Sequence, residues 1–207
     1  MAQNPPVSSA LDEETARAEV YGVLAALYYA PPDAALLAQL QVAATEAPAA
    51  GGLLEEPWRA LVGEARQATE ASLRQEYAAL FGGVGKPEVA LYGSFYLTGF
   101  LNEKPLAQLR ADLAALGLER DEAMPESEDH IACLCEVMRY LIAGDDMAVC
   151  NLTRQHAFFA THLQPWAERL WTALAAHPRA RFYRALATFS QMFFQVEAQG
   201  FDMLDGV

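Results

Sequence analysis

The chain has 207 residues, 53% of them hydrophobic and 20% charged, which is enough apolar content for one sizeable core. Its formal net charge of −13 excludes a nucleic-acid backbone as main partner, because neutralising phosphates needs a basic surface, and it permits a cationic partner. The start, MAQNPPVSSALDEE, lacks a basic segment followed by an apolar one, and no run of about 18 apolar residues occurs, so neither a secretory signal nor stable membrane insertion is expected. Cys133, Cys135 and Cys150 show no framework spacing, which fits a reducing cytoplasm.

Residues 1–10 are expected to be disordered. The first helix is placed near Leu11, where Asp12, Glu13 and Glu14 favour the positive end of a helix dipole, and Val20, Val23, Leu24, Leu27 and Tyr28 give it an apolar face. Pro31 and Pro32 stop it, and Asp33 then caps a short helix through AALLAQLQVAATE. Glycine and proline mark a loop at 48–57. One long helix is predicted from about Trp58 to Phe81, broken by GGVGKPEVALYG at 82–93. Helix resumes within Ser94 to Leu101 and again from Pro105 to Leu116, where Gly117 suits a left-handed cap. An acidic connector at 117–127 reads as a hinge or surface loop. It leads into a helix that Gly144 closes, and three more follow at roughly Met147–Leu163, Pro165–Ala176 and Arg179–Gln199. Period-two alternation and self-similar repeats are absent from the sequence, so a single all-α helical bundle over residues 11–200 is the expected fold.

Two stretches invite chemistry. GGVGKP at 82–87 resembles a phosphate loop, but Pro87 stands where Ser or Thr is required and no strand precedes it. PESEDHIACLCEVM at 125–138 gathers Glu126, Glu128, Asp129, His130, Cys133 and Cys135. Positions two apart on a helix splay by about 200°, so the two cysteines make a poor chelate and no metal or cofactor is expected. Glu126, Asp129 and His130 could support proton transfer in a small acid/base enzyme, although no second catalytic signature accompanies them. Capping is the simpler reading, with Ser127 as N-cap, Glu128 and Asp129 in the first turn, and Ile131, Leu134, Cys135, Met138, Leu141 and Ile142 as the buried stripe. It leaves a histidine at the positive end of the dipole unexplained.

In order along the chain, several segments resemble the TorD/DmsD/NarJ group of redox-enzyme maturation chaperones. They are YAALF at Tyr77–Phe81 before a glycine-rich loop, LYGSFYL with Tyr92, Ser94 and Tyr96, and ESEDHI at Glu126–Ile131. Further along come His162, Leu163 and Trp166 at a late helix junction, and Phe182 and Tyr183 opening the last helix. Three positions depart from the family pattern: Ser127 replaces a proline, Gly93 a glutamate and Leu91 a proline. The resemblance implies a non-enzymatic cytoplasmic chaperone with a TorD-like helical fold, monomeric or homodimeric. Such a protein would bind the twin-arginine leader or apo form of a molybdoenzyme catalytic subunit and delay export until the cofactor is inserted. It further implies that Asp129, His130, Glu126, Tyr77, Leu80, Phe81, Tyr92, Ser94 and Tyr96 form the peptide-binding site. An acidic, partly apolar surface suits two fixed cations beside an apolar stretch. A generic helical interaction protein is the remaining alternative.

Overall fold

The computed structural model describes residues 7–45, 52–82, 87–101, 103–121 and 123–205. Among them run ten helices: α1 (Val7–Tyr29), α2 (Ala34–Val42), α3 (Glu55–Gln67), α4 (Glu70–Phe81), α5 (Gly93–Thr98), α6 (Lys104–Ala115), α7 (Ile131–Ala143), α8 (Leu152–His162), α9 (Ala167–Ala176) and α10 (Phe182–Asp205). The expected all-α bundle is the fold found, and one continuous hydrophobic cluster joins its helices. The only non-helical pairing among the described residues is an isolated antiparallel bridge between Tyr92 and His130.

The centre of the bundle is the α1–α7 pair, its most extensive helix contact. Tyr21, Leu24, Leu27 and Tyr28 of α1 are fully buried, and so is the stripe of Ile131, Leu134, Cys135, Met138 and Leu141 that periodicity places on α7. A side chain of leucine size buried in this way contributes about 1.5–3 kcal/mol. The two helices run antiparallel. A Cβ at Gly22 would lie 3.2 Å from Arg139 Nε near one end of the pair, while Tyr29 and Ala132 line one groove near the other. The long α10 packs on α9 and α3 with Phe182, Tyr183, Leu186, Phe189 and Phe193 inward. Arg17 ties α1 to α10 through Nε and Nη2 bonds of 2.7 and 2.8 Å to the buried Glu197, which also accepts from the Tyr21 hydroxyl.

Several boundaries differ from expectation for local reasons. Helix α1 starts at Val7 rather than Leu11, so residues 7–10 are helical, while residues 1–6 of the expected disordered segment lie outside the described ones. The predicted Trp58–Phe81 helix is two helices. Thr69 and Ser72 form a capping box that starts α4, and Ala68 leaves α3 in an extended conformation. The broken end is satisfied across the fold: Gln41 Nε2 donates to the carbonyls of Ala65 and Ala68, and Arg66 returns bonds to those of Gln41 and Ala43. The expected loop at 48–57 ends by Glu55, with residues 46–51 outside the described set, and that at 82–93 ends at Gly93, with 83–86 likewise outside. Gly117 does adopt the left-handed conformation, at φ +73°. Helix α8 starts at Leu152 and not near Met147, because Asp146 first holds a turn and Asn151 then caps the helix. Helix α10 starts at Phe182, where the Glu76 carboxylate of α4 accepts from the Arg181, Phe182 and Tyr183 amides.

Candidate functional site

The Tyr92–His130 bridge joins the loop before α5 to the N-terminus of α7. The Ile131 amide donates to the Leu91 carbonyl at 2.8 Å and the Gly93 amide to the Asp129 carbonyl at 2.9 Å. The Asp129 side chain completes the tie. One carboxylate oxygen accepts from the Ser94 amide at 2.9 Å and the Ser94 hydroxyl at 2.5 Å, and the other accepts from the Ser127 hydroxyl at 2.6 Å. Asp129 is 4% exposed, so its carboxylate acts as the N-terminal acceptor for α5 from another part of the chain.

His130, not Ser127, is the N-cap of α7: its Nδ1 accepts from the Ala132 amide at 3.1 Å. This corrects the capping expected from the sequence and accounts for the histidine. Burial pushes its pKa down to about 4 against the opposing pull of Glu126 and Asp129, so the ring is neutral at physiological pH and its bare nitrogen is a competent acceptor. A neutral imidazole avoids the repulsion that an imidazolium would meet at that end of the helix. The Tyr92 ring packs edge-on against it at 5.1 Å.

Glu126 faces outward from the same node. It is half-buried and accepts a hydrogen bond from the Tyr92 hydroxyl. Burial, then that bond and the nearby carboxylates, raise the Tyr92 phenol well above its usual range. The Tyr77 hydroxyl donates to the Tyr29 carbonyl at 2.7 Å, and its pKa rises to about 12 through burial and then the Glu126 charge, which places it in the same neighbourhood. Phe81 packs edge-on against Tyr77 at 4.9 Å. The structure therefore brings Tyr92, Glu126, Asp129, His130 and Ser94 together, with Tyr77 and Phe81 beside them. Leu80 and Ser94 are wholly buried, and Tyr96 lies apart, stacked on Trp166 at 5.6 Å with its hydroxyl on the Ala90 carbonyl.

The three departures from the family pattern each have a local role. Ser127 supplies an O–H to Asp129 that proline could not. Leu91 is buried, and its carbonyl takes the Ile131 amide. Gly93 lies against the Trp166 indole, where a Cβ would stand 2.8 Å from Nε1, so this close approach requires glycine.

Sequence reasoning missed a groove of about 520 Å³ beside this node. Ala25, Ala26 and Tyr29 of α1, Leu113 of α6, Leu118 and Met124 of the connector, and Ala132, Cys133, Val137 and Tyr140 of α7 line it. Glu119, Asp121, Glu128, Glu136 and Arg120 complete its lining. The signal was present as a second, weaker apolar series at 133, 137 and 140, spaced four and three apart on the flank of the buried stripe. Among the described residues no three His, Cys, Asp or Glu side chains are grouped to hold a metal ion.

Asp129 and His130 thus tie two helix starts of the all-helical bundle together, and Glu126 does not share in that tie. Residues 36–172, more than half of the chain, match the family described as nitrate reductase delta subunit, and the chain belongs to that family. Among curated proteins it is similar to the "Chaperone protein TorD" of Vibrio cholerae serotype O1, in strains O395 and M66-2. It is 26% identical to each over 146 residues, 67% of this chain and 66% of the relative. The match thus covers slightly less than two thirds of the relatives' own length. The resemblance drawn from the ordered motifs is borne out at the level of the family, and the relatives' name is that of a chaperone rather than an enzyme.

Proposed function

We propose that this chain is a non-enzymatic maturation chaperone for a molybdoenzyme catalytic subunit. It acts in the cytoplasm, binds the subunit's twin-arginine leader, and delays export until the cofactor is in place. Family membership supports the general class. The observation that carries the leader reading is Glu126, a half-exposed carboxylate held by Tyr92 on a chain of charge −13, whose backbone carbonyl accepts from Arg120 of the lining of an apolar groove. A guanidinium paired there makes a charge-assisted hydrogen bond, and the adjoining apolar walls suit the stretch that follows the arginines. In this reading Asp129, His130 and Ser94 are positioning residues. They tie the segment that carries Tyr92 to the start of α7, while Tyr77 and Phe81 form the apolar border.

The acid/base alternative fits poorly. Asp129 accepts three hydrogen bonds and is buried, and the His130 Nδ1 is occupied by its own helix, so neither is placed to exchange a proton with a substrate. Co-purification from the native host followed by mass spectrometry tests the function, with a molybdoenzyme subunit bearing an Arg-Arg leader as the expected companion. Recovery of unrelated proteins only would overturn it. At the site, Glu126→Gln is expected to weaken calorimetric binding of that leader about tenfold, a loss of about 1.4 kcal/mol.

A further inference from the structure

We propose that the free chain covers its acidic stretch with its own Arg110 and Arg120, and that a leader's paired arginines displace Arg110 and claim Glu128 as a second carboxylate beside Glu126. The inference rests on the leader-binding reading and adds to it a further recognition residue, Glu128, and a form of regulation, self-occlusion.

Two guanidiniums of this chain lie on the stretch from Glu126 to Glu128. Arg110 of α6 holds the Glu128 carboxylate as a fork, with Nε 3.0 Å from both oxygens and Nη2 2.9 Å from one of them. Arg120 of the connector donates through Nη1 to the Glu126 carbonyl at 3.1 Å. Burial, then Glu126, Glu128 and Asp129, push the Cys133 thiol up to about 11 while Arg120 pulls it down, so these charges act on one thiol at the start of α7. Asp129 is spent on Ser94 and Ser127. Against the remaining Glu126 and Glu128, the two arginines leave the stretch electrically balanced. A leader with two adjacent arginines brings the same number of cations, of the same shape.

The Arg110–Glu128 pair is built for exchange. The Glu128 side chain is 13% exposed and that of Arg110 is 53% exposed. A largely buried carboxylate needs a cation, whereas the arginine can return to water. Burial pulls the Glu128 carboxyl up, but the Arg110 hydrogen bonds, a backbone amide and the Arg110 and Arg120 charges hold it below the usual carboxylate range, so it is ionised at physiological pH. An incoming guanidinium repeats the two-pronged bond that Arg110 makes, and Glu128 ends paired as it began. The fold does not depend on Arg110. Helix α6 is anchored by the buried Leu106, Leu109 and Leu113 and by Asp112, which lies 2.9 Å from His162 Nε2. A solvent-exposed ion pair adds little to that anchorage, so Arg110 can leave without loosening the helix.

The test is fluorescence anisotropy with the full chain and a labelled synthetic peptide of two adjacent arginines followed by ten Leu and Ala residues. Two further peptides carry Gln in place of one arginine or the other. Thermal melts by circular dichroism check that each variant folds. Arg110→Gln is expected to bind the two-arginine peptide about threefold more tightly than wild type. Arg110→Lys should also bind it more tightly although it keeps the charge, because lysine cannot make the fork. Arg74→Gln removes the same charge from an exposed pair on α4 and should change affinity by less than about 1.5-fold. Glu128→Gln should weaken the two-arginine peptide about fivefold and leave one of the single-arginine peptides unaffected. Equal or weaker binding by folded Arg110→Gln and Arg110→Lys, or an equal loss for all three peptides in Glu128→Gln, overturns the proposal. If Glu126→Gln still weakens binding in that case, the leader reading stands without it. Binding by Arg110→Gln where wild type binds nothing supports self-occlusion, and no binding by either removes both the proposal and the leader reading.

Discussion

Residues 129 and 130 face inward and residue 126 faces outward, although they lie within one short stretch. Asp129 and His130 are 4% and 3% exposed, and each uses its acceptors on a helix start: Asp129 on α5, His130 on α7. Glu126 is half-buried, and among the described residues its side chain accepts a hydrogen bond only from Tyr92. Like residue types have different fates because burial forces a polar group to satisfy its hydrogen-bonding capacity internally, whereas an exposed group keeps capacity for a partner. A charged motif therefore divides into a structural half and a half available for binding, and only the second can read a peptide directly.

The contrast can be broken most forcefully at Asp129. Asp129→Ala removes a charged acceptor of three hydrogen bonds and leaves the buried Ser94 amide unpaired, an expected loss of about 4 kcal/mol in urea unfolding. A loss under about 1 kcal/mol would mean that the carboxylate does not hold the two segments together.

The next effect is a pH dependence. His130 is held at about 4 in the folded chain, below its unfolded value near 6.5, so the folded state binds fewer protons across that interval. The stability from keeping the ring neutral is present above pH 6.5 and is lost as pH falls toward 4, by up to about 3 kcal/mol. His130→Asn keeps a capping side chain without the titration. Wild type should therefore lose more stability than the variant between pH 7 and pH 4, and parallel curves would refute the assignment.

Gly93→Ala is expected to cost about 2 kcal/mol, because its Cβ would press on the Trp166 ring, and the tryptophan emission should shift with it. The smallest stability effect falls on the open half. Tyr92→Phe, which removes only the bond to Glu126, should change stability by less than about 1 kcal/mol while lowering leader affinity severalfold. An equal loss in both quantities would erase the distinction between the two halves.

Much of the fold was legible locally. The α7 stripe, the Asp33 cap of α2, the Gly117 cap and the proline stops all follow from spacing and residue type. The Thr69–Ser72 break was also local, but it was hidden inside a continuous helical pattern in which alanine and glutamate suit either a helix interior or a first turn. The site was legible only as a set of residue types. Ser127, the expected cap, donates its hydroxyl to Asp129, and the cap of α7 is a histidine whose suitability depends on burial that the sequence does not display.

Periodicity, propensity and proline placement determined by themselves that this chain is all-helical, which faces of its helices turn inward, and which family it resembles. Those signals act between residues a few positions apart, where backbone geometry alone sets the outcome. Tertiary structure decided what the polar residues do. Glu76 starts α10 and Asp129 starts α5 from distant parts of the chain, Gly93 makes room for Trp166, and the meeting of α1, α7 and the connector opens a groove that no single helix encodes. Hydrogen-bond satisfaction and cavity shape depend on groups far apart in the chain, so they take form only once the helices have packed.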